Sequence, residues 1–93
     1  MNEFGKLAEE LRGLGVEPPE LLAASGLLVW RCSAGKIYVW ATQSRGASYE
    51  ARLHPLSVRL STQSLYSEGV AGTALWIADR LEELHAAEQG GAE

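Results

Sequence analysis

Three short apolar segments separated by two short turns most constrain how this 93-residue chain can fold. The segments are residues 27–33, 36–42 and 48–54, and the first two are rich in β-branched and aromatic residues. A glycine lies in each turn: Gly35, which we expect to supply a positive φ angle, and Gly46. Connections this short join strands that run antiparallel. The sequence therefore predicts a three-stranded antiparallel meander.

The third segment, SYEARLH, indicates which of its side chains are buried. Tyr49, Ala51 and Leu53 alternate with polar or charged residues, which is typical of a strand with one buried and one solvated face. The first two segments are apolar on both faces, as in strands that are covered on both sides.

The region before the strands has helical signals. Apolar residues three and four positions apart predict a helix over residues 2–13, which Gly13 and Gly15 end. Pro19 suits the first position of a helix and Gly26 suits a stop, so one or two helical turns are predicted between them.

The region after the strands ends in the clearest helix of the chain. Residues 57–61 are a candidate fourth strand at the sheet edge, and residues 62–67 predict a loop. Residues 68–88 predict a helix with Ser67 as its N-cap. One stripe of this helix is apolar: Val70, Ala74, Ile77, Leu81 and Leu84.

These elements predict an α+β two-layer sandwich with a helix at each end of a meander of three or four strands. Both helices need an apolar surface to cover, and the simplest arrangement places them on the same face of the sheet. We expect one domain over residues 1–88 and a flexible tail over residues 89–93.

The cysteine content and the short uncharged stretches favour a cytoplasmic protein. The net charge is −4, yet residues 27–66 carry five basic residues and one acid. The single cysteine, Cys32, excludes an internal disulfide and favours a reducing compartment. The longest uncharged stretch around the apolar run has ten residues, too short to span a bilayer, so we expect no membrane contact.

Motifs that would indicate catalysis are not found. Cys32 in an apolar strand is typical of a small buried hydrophobe, and His54 and His85 have no zinc-ligand spacing. The GVAG stretch before the last helix lacks the lysine of a phosphate-binding loop. We predict no enzymatic activity, no metal and no cofactor.

Aromatic and basic residues predict the contact surface for a partner. Trp76 lies outside the apolar stripe of the last helix, and tryptophan is enriched at interaction hot spots. With both helices on one face of the sheet, the other face exposes aromatic residues beside arginines. The alternative is that these aromatics form the core of a small domain. The predicted contact residues are Trp76, Arg80 and Glu83 on the helix, and Trp30, Arg31, Trp40 and Arg52 on the sheet.

Nucleic-acid binding is the first alternative function, because a basic sheet face with aromatics can stack single-stranded bases. The order of elements resembles the double-stranded-RNA-binding domain. That family opens its last helix with phosphate-binding lysines, whereas Glu68 stands here and the chain is acidic. We therefore expect nucleic-acid binding to be the weaker hypothesis.

The final segment GVAGTALWIADRLEEL, together with the acidic composition and the tryptophan-containing hairpin, resembles small phage-encoded α+β proteins. These include sandwich-like phage proteins and inhibitors of bacterial CRISPR systems. The resemblance implies a protein-binding module that inhibits a host defence complex by occluding a surface. A homodimeric phage accessory protein that pairs its open sheet faces or edge strands is a further alternative.

Overall fold

The computed structural model describes residues 5–22, 26–42 and 48–91. Gly46 and the first three residues of the predicted N-terminal helix lie outside this part of the chain, as do residues 92–93 of the predicted tail. The elements in chain order are α1 (Gly5–Gly13), β1 (Glu20–Leu22), β2 (Leu27–Cys32), β3 (Gly35–Thr42), β4 (Ser48–Pro55), β5 (Gln63–Glu68) and α2 (Val70–Gly91).

The strands form one antiparallel sheet in which neighbours in sequence are neighbours in space, in the order β1-β2-β3-β4-β5. Helix α2 lies against the strands, and α1 packs against α2. The predicted α+β fold with a helix at each end of a meander is confirmed. The sheet has five strands, where three or four were predicted.

One face of the sheet packs on the helices, and we call it the inner face. Tyr49, Ala51 and Leu53 are buried there, as their alternation predicts. The apolar stripe of α2 covers them, and four of its five predicted residues are buried. Leu7 and Leu11 of α1 belong to the same core cluster, so both helices cover the same side. The opposite side of the sheet is the outer face.

Helix α1 ends as its glycines predict. Gly15 has a positive φ of 75°, and the N–H of Val16 donates to the carbonyl of Leu11 at 3.0 Å. The N–H of Gly15 donates to Arg12, which completes a Schellman motif. This turn directs the chain toward the edge of the sheet.

The short helix predicted after Pro19 is wrong, because the chain forms strand β1 there. Its residues pair with Leu27–Val29 of β2, and Gly26, at a φ of 64°, lies in the connection rather than ending a helix. Pairing with an apolar neighbouring strand outweighs the weak helical preference of so short a segment.

The predicted fourth strand over residues 57–61 is also wrong. This segment is a turn, in which the Ser57 hydroxyl accepts a hydrogen bond from the N–H of Arg59 at 3.2 Å. The last strand is β5, in a segment predicted as loop. Leu65 of β5 lies opposite Ala51 and packs against the core, which explains why this polar segment is a strand.

Gly35 has a different role from the predicted one. It is the first residue of β3 and does not have a positive φ. A Cβ at this position would lie 2.7 Å from the carbonyl oxygen of His54 and 3.0 Å from Cδ2 of Leu84. Gly35 therefore permits close packing between the hairpin, β4 and α2.

Helix α2 begins two residues later than predicted and continues to Gly91. Ser67 is a residue of β5, and the N–H of Thr73 donates to the carbonyl of Gly69, which therefore precedes the first turn. Neither helix in the described part of the chain combines the length and apolar character that crossing a membrane requires.

Candidate functional site

The candidate site is the outer face of the sheet, where the strand register places basic and aromatic side chains side by side. Lys36 is opposite Arg31 on one side and opposite His54 on the other. We call these three residues the basic row. Neighbouring β-carbons in such a row lie about 5 Å apart, a spacing at which like charges repel.

The row is not neutralised within the described residues. Arg31 forms an ion pair with Glu20 of β1 at 3.0 Å, and both side chains are about half exposed. No ion-pair partner for Lys36 is found in the described residues. The register thus holds the basic side chains of Arg31 and Lys36 together, with one carboxylate, that of Glu20, at their side.

Two half-buried aromatic side chains follow the basic row along β3: Tyr38 lies two residues after Lys36, and Trp40 two residues further on. Tyr38 contacts the ring of His54 edge to face, with 5.2 Å between ring centroids. Trp40 donates from Nε1 to the carboxylate of Glu50, its partner in the register, at 2.9 Å. Both rings are therefore held in place by neighbours while part of each remains accessible.

Arg52 and Tyr66 extend this surface toward β5. Tyr66 is 65 % exposed, and Arg52 is also exposed. Hydrogen bonds with Ser64 and Arg52 stabilise the phenolate and lower the pKa of Tyr66. Arg52 is thus oriented along the outer face rather than extended freely into solvent.

Trp30 lies on the other side of the sheet from this surface. It is only 4 % exposed and belongs to the core cluster. Its Nε1 donates to the backbone carbonyl of Glu17 at 2.9 Å, which satisfies the buried indole. A residue this deeply packed cannot reach a partner without opening the core, so Trp30 is left out of the candidate surface.

Trp76, Arg80 and Glu83 do form a cluster, but it lies on α2 and is separate from the outer face. Arg80 lies over the Trp76 ring, 5.5 Å from its centroid, and forms an ion pair with Glu83. Glu83 also accepts a hydrogen bond from Gln63 of β5 at 3.4 Å. Trp76 packs partly against the core. These side chains therefore contribute to docking α2 against β5.

The seven predicted contact residues consequently fall into three places. Arg31, Trp40 and Arg52 share the outer face, the three helix residues form the Trp76 cluster, and Trp30 is in the core. Their role in binding stays a prediction. The sequence reasoning missed Lys36 and His54. The only sequence signal for them is that each alternates with buried residues in its own strand, and the two strands are neighbours.

A second group of side chains meets at the edge of β2, on the inner side. Cys32, His85 and Glu88 bring their ligand atoms within 4.8 Å of one another. Burial raises the pKa of the Cys32 thiol, and the carboxylates of Glu88 and Glu17 raise it further. Hydrogen bonds from the hydroxyl and the N–H of Ser33 lower the pKa of Glu88. No sequence spacing connects the cysteine with these helix residues.

Comparison of the chain with protein-family models, with curated protein sequences and with solved structures finds no match. The arguments for function therefore rest on the geometry of the outer face and of the residues around Cys32.

Proposed function

We propose that this protein is a non-enzymatic binding module that contacts an acidic surface of a partner protein through the outer face of its sheet. The observation that carries the proposal is the basic row, which is followed along the outer face of β3 by the half-buried rings of Tyr38 and Trp40. In the described part of the chain no helix covers this face.

Arg31 lies directly opposite Lys36, and like charges at this spacing repel. This repulsion lowers the stability of the protein when no partner is bound. Carboxylates from a partner would relieve that repulsion and would gain charge-assisted hydrogen bonds. Arg31 and Arg52, together with Tyr38 and Trp40, also match the composition of protein interfaces, in which tyrosine, tryptophan and arginine are enriched.

A second copy of the chain fits this face less well. A face-to-face dimer would bring together two faces that each have Arg31, Lys36 and Arg52, and their carboxylates Glu20 and Glu50 are already engaged with Arg31 and Trp40. The net charge of −4 makes nucleic acid a less favourable partner than protein, because nucleic acid is itself negatively charged. Both alternatives remain outcomes of the experiments below.

The more specific role implied by the resemblance, a phage inhibitor acting in the host cytoplasm, would use the same surface to occlude a component of a defence complex. In this proposal the fold supplies a rigid sheet, and the specificity resides in outer-face side chains. Such a mechanism requires no catalytic group.

The test is quantitative capture of partners from nuclease-treated lysate of the source cell. The outer-face variant combines Arg31→Glu with Lys36→Glu. The control variant combines Lys6→Glu with Arg12→Glu, which makes the same change in charge at exposed positions of α1. We expect wild type and control to retain a partner that the outer-face variant loses, and the purified partner to bind that variant at least about tenfold more weakly.

Equal loss in both variants would mean that net charge alone governs capture, and retention by the outer-face variant would place the binding surface elsewhere. Two further measurements separate the alternatives. Binding of a single-stranded oligonucleotide at about 50 mM salt, with affinity falling steeply as salt rises, would favour nucleic acid. A mass above the 10.0 kDa of one chain in light scattering, lost in the outer-face variant, would favour a homodimer.

A further inference from the structure

Two prolines create a cavity at the edge of β2. The register of β1 with β2 begins at Glu20, opposite Val29. Pro18 and Pro19 precede that residue, and proline cannot donate an N–H to the ladder. The edge of β2 from Trp30 onward is therefore unpaired on this side. A cavity of about 300 Å³ opens between this edge and α2.

Three side chains of different ligand chemistry line this cavity. Cys32 comes from the end of β2, whereas His85 and Glu88 lie three positions apart on α2 and so on one face of the helix. Glu17 lies outside this three-residue group but lines the same cavity, with 3.9 Å between its Oε1 and Nε2 of His85. A thiol, an imidazole and two carboxylates thus surround one space.

The distances between the ligand atoms would suit a small tetrahedral ion if the side chains moved slightly closer together. In a tetrahedral zinc site the ligand atoms lie about 3.3–3.7 Å apart, as follows from metal–ligand bonds of about 2.0–2.3 Å. The three atoms here lie within 4.8 Å of one another. None of these three side chains is fully buried, so they are not locked into the core.

One ligand is already oriented by its neighbours. Ser33 donates to Oε2 of Glu88 twice, from its N–H at 2.7 Å and from its hydroxyl at 2.6 Å. Both bonds use the same oxygen and leave Oε1 unused by them. Outer-shell hydrogen bonds of this kind fix the carboxylates of metal sites.

The charge distribution points the same way. The carboxylates of Glu17 and Glu88 lie in this cavity with the Cys32 thiol, and Arg31, which also lines it, is paired with Glu20. A divalent cation would offset the repulsion among these groups. A hard ion such as Mg²⁺ or Ca²⁺ prefers oxygen ligands alone, whereas a thiolate with an imidazole favours zinc.

We propose that Cys32, His85 and Glu88, with Glu17 as the fourth ligand, bind a single Zn²⁺ ion. The ion connects β2 and the segment before β1 to the C-terminal half of α2. It thereby holds the helix over the unpaired edge of the sheet. This assignment is independent of the outer face and of the function proposed for it.

The test uses the untagged, reduced full-length protein, freed of metal by a chelator, and Co²⁺ as the spectroscopic probe. We expect a thiolate-to-cobalt charge-transfer band in the near ultraviolet and the strong visible bands of a tetrahedral ion. Added Zn²⁺ should remove both. Zn²⁺ should also raise the melting temperature of the wild type, because it binds the folded state.

Matched variants locate the site. Cys32→Ser should abolish the charge-transfer band, and His85→Gln should weaken binding by more than about 100-fold. Ser33→Ala removes one outer-shell bond and should weaken binding by about tenfold or more. The control is His54→Gln, which changes the other histidine of the chain on the outer face and should bind as the wild type does.

Three results would overturn the proposal. They are a cobalt spectrum without the charge-transfer band, a spectrum unchanged in Cys32→Ser, and equal losses in His85→Gln and His54→Gln. Circular dichroism of each metal-free variant shows whether it is folded, and Ser33→Ala tests the site even if a ligand variant fails to fold.

Discussion

Replacing Gly35 with alanine tests how closely the hairpin between β2 and β3 packs against the rest of the fold. The new Cβ would lie 2.7 Å from the carbonyl oxygen of His54, 3.1 Å from Cα of Pro55 and 3.0 Å from Cδ2 of Leu84. Two of these atoms belong to the backbone of β4, so the clash is relieved only by moving paired strands apart.

The expected size of the effect follows from two opposing terms. Overpacking at a tight site costs about 1–3 kcal/mol. Alanine also restricts the unfolded chain more than glycine does, and this stabilises the folded state by about 0.4–1 kcal/mol. The two terms leave a net loss of up to about 2.6 kcal/mol. Because the 2.7 Å contact is with backbone, we expect the upper part of this range, a decrease of about 1–2.5 kcal/mol in the free energy of unfolding, or about 5–15 °C in melting temperature.

Urea denaturation followed by circular dichroism measures this difference, and Gly13→Ala is the matched control. Gly13 is in the last turn of α1, and an added Cβ there meets nothing within 4 Å. We expect the control to gain about 0.4–1 kcal/mol in stability. If Gly35→Ala were as stable as the wild type, the proposed close packing would be refuted.

Three further predictions concern individual side chains. The pKa of Tyr66 is lowered by its hydrogen bonds with Ser64 and Arg52, so Ser64→Ala should raise it, and an unchanged phenolate titration would contradict this. The pKa of Cys32 is raised, so in chelator at about pH 8.5 its alkylation should be slower than that of a free thiol. Glu88→Gln removes one negative charge and should accelerate that reaction; a slower reaction would be inconsistent with the electrostatic cause. Trp30→Ala should cost about 3–5 kcal/mol of stability, whereas a loss below about 1 kcal/mol would return Trp30 to the candidate contact residues.

Periodicity was sufficient to predict the parts of the fold whose pattern is long or regular. The alternation from Tyr49 to Leu53 and the apolar stripe of α2 both correspond to buried positions. These patterns succeed because a side chain on the wrong face of either element would expose an apolar group or bury a polar one.

Short segments could not be assigned in this way. β1 has three residues, and its structure is decided by the edge of β2 that it pairs with rather than by its own composition. The same holds for β5, which has polar residues yet pairs with β4 and packs Leu65 on the core. A local pattern carries no information about which neighbouring strand is available.

The two sites were predictable to different degrees. Arg31, Trp40 and Arg52 were expected at a sheet surface because they lie in strand segments. The residues around Cys32 were not, since the cysteine and its helix neighbours are far apart in sequence and only folding brings them together. His85 and Glu88, spaced by three positions, were the sole local signal.

Both sites depend on the register of β2. Arg31 and Cys32 are consecutive, and because alternate side chains of a strand point to opposite faces, Arg31 lies on the outer face and Cys32 on the inner side. A slip of one residue would exchange them and move Trp30 out of the core. The pairing of Trp30 with Ile37, both buried, opposes such a slip. The core therefore fixes which residues of β2 lie on the outer face and which lie on the inner side.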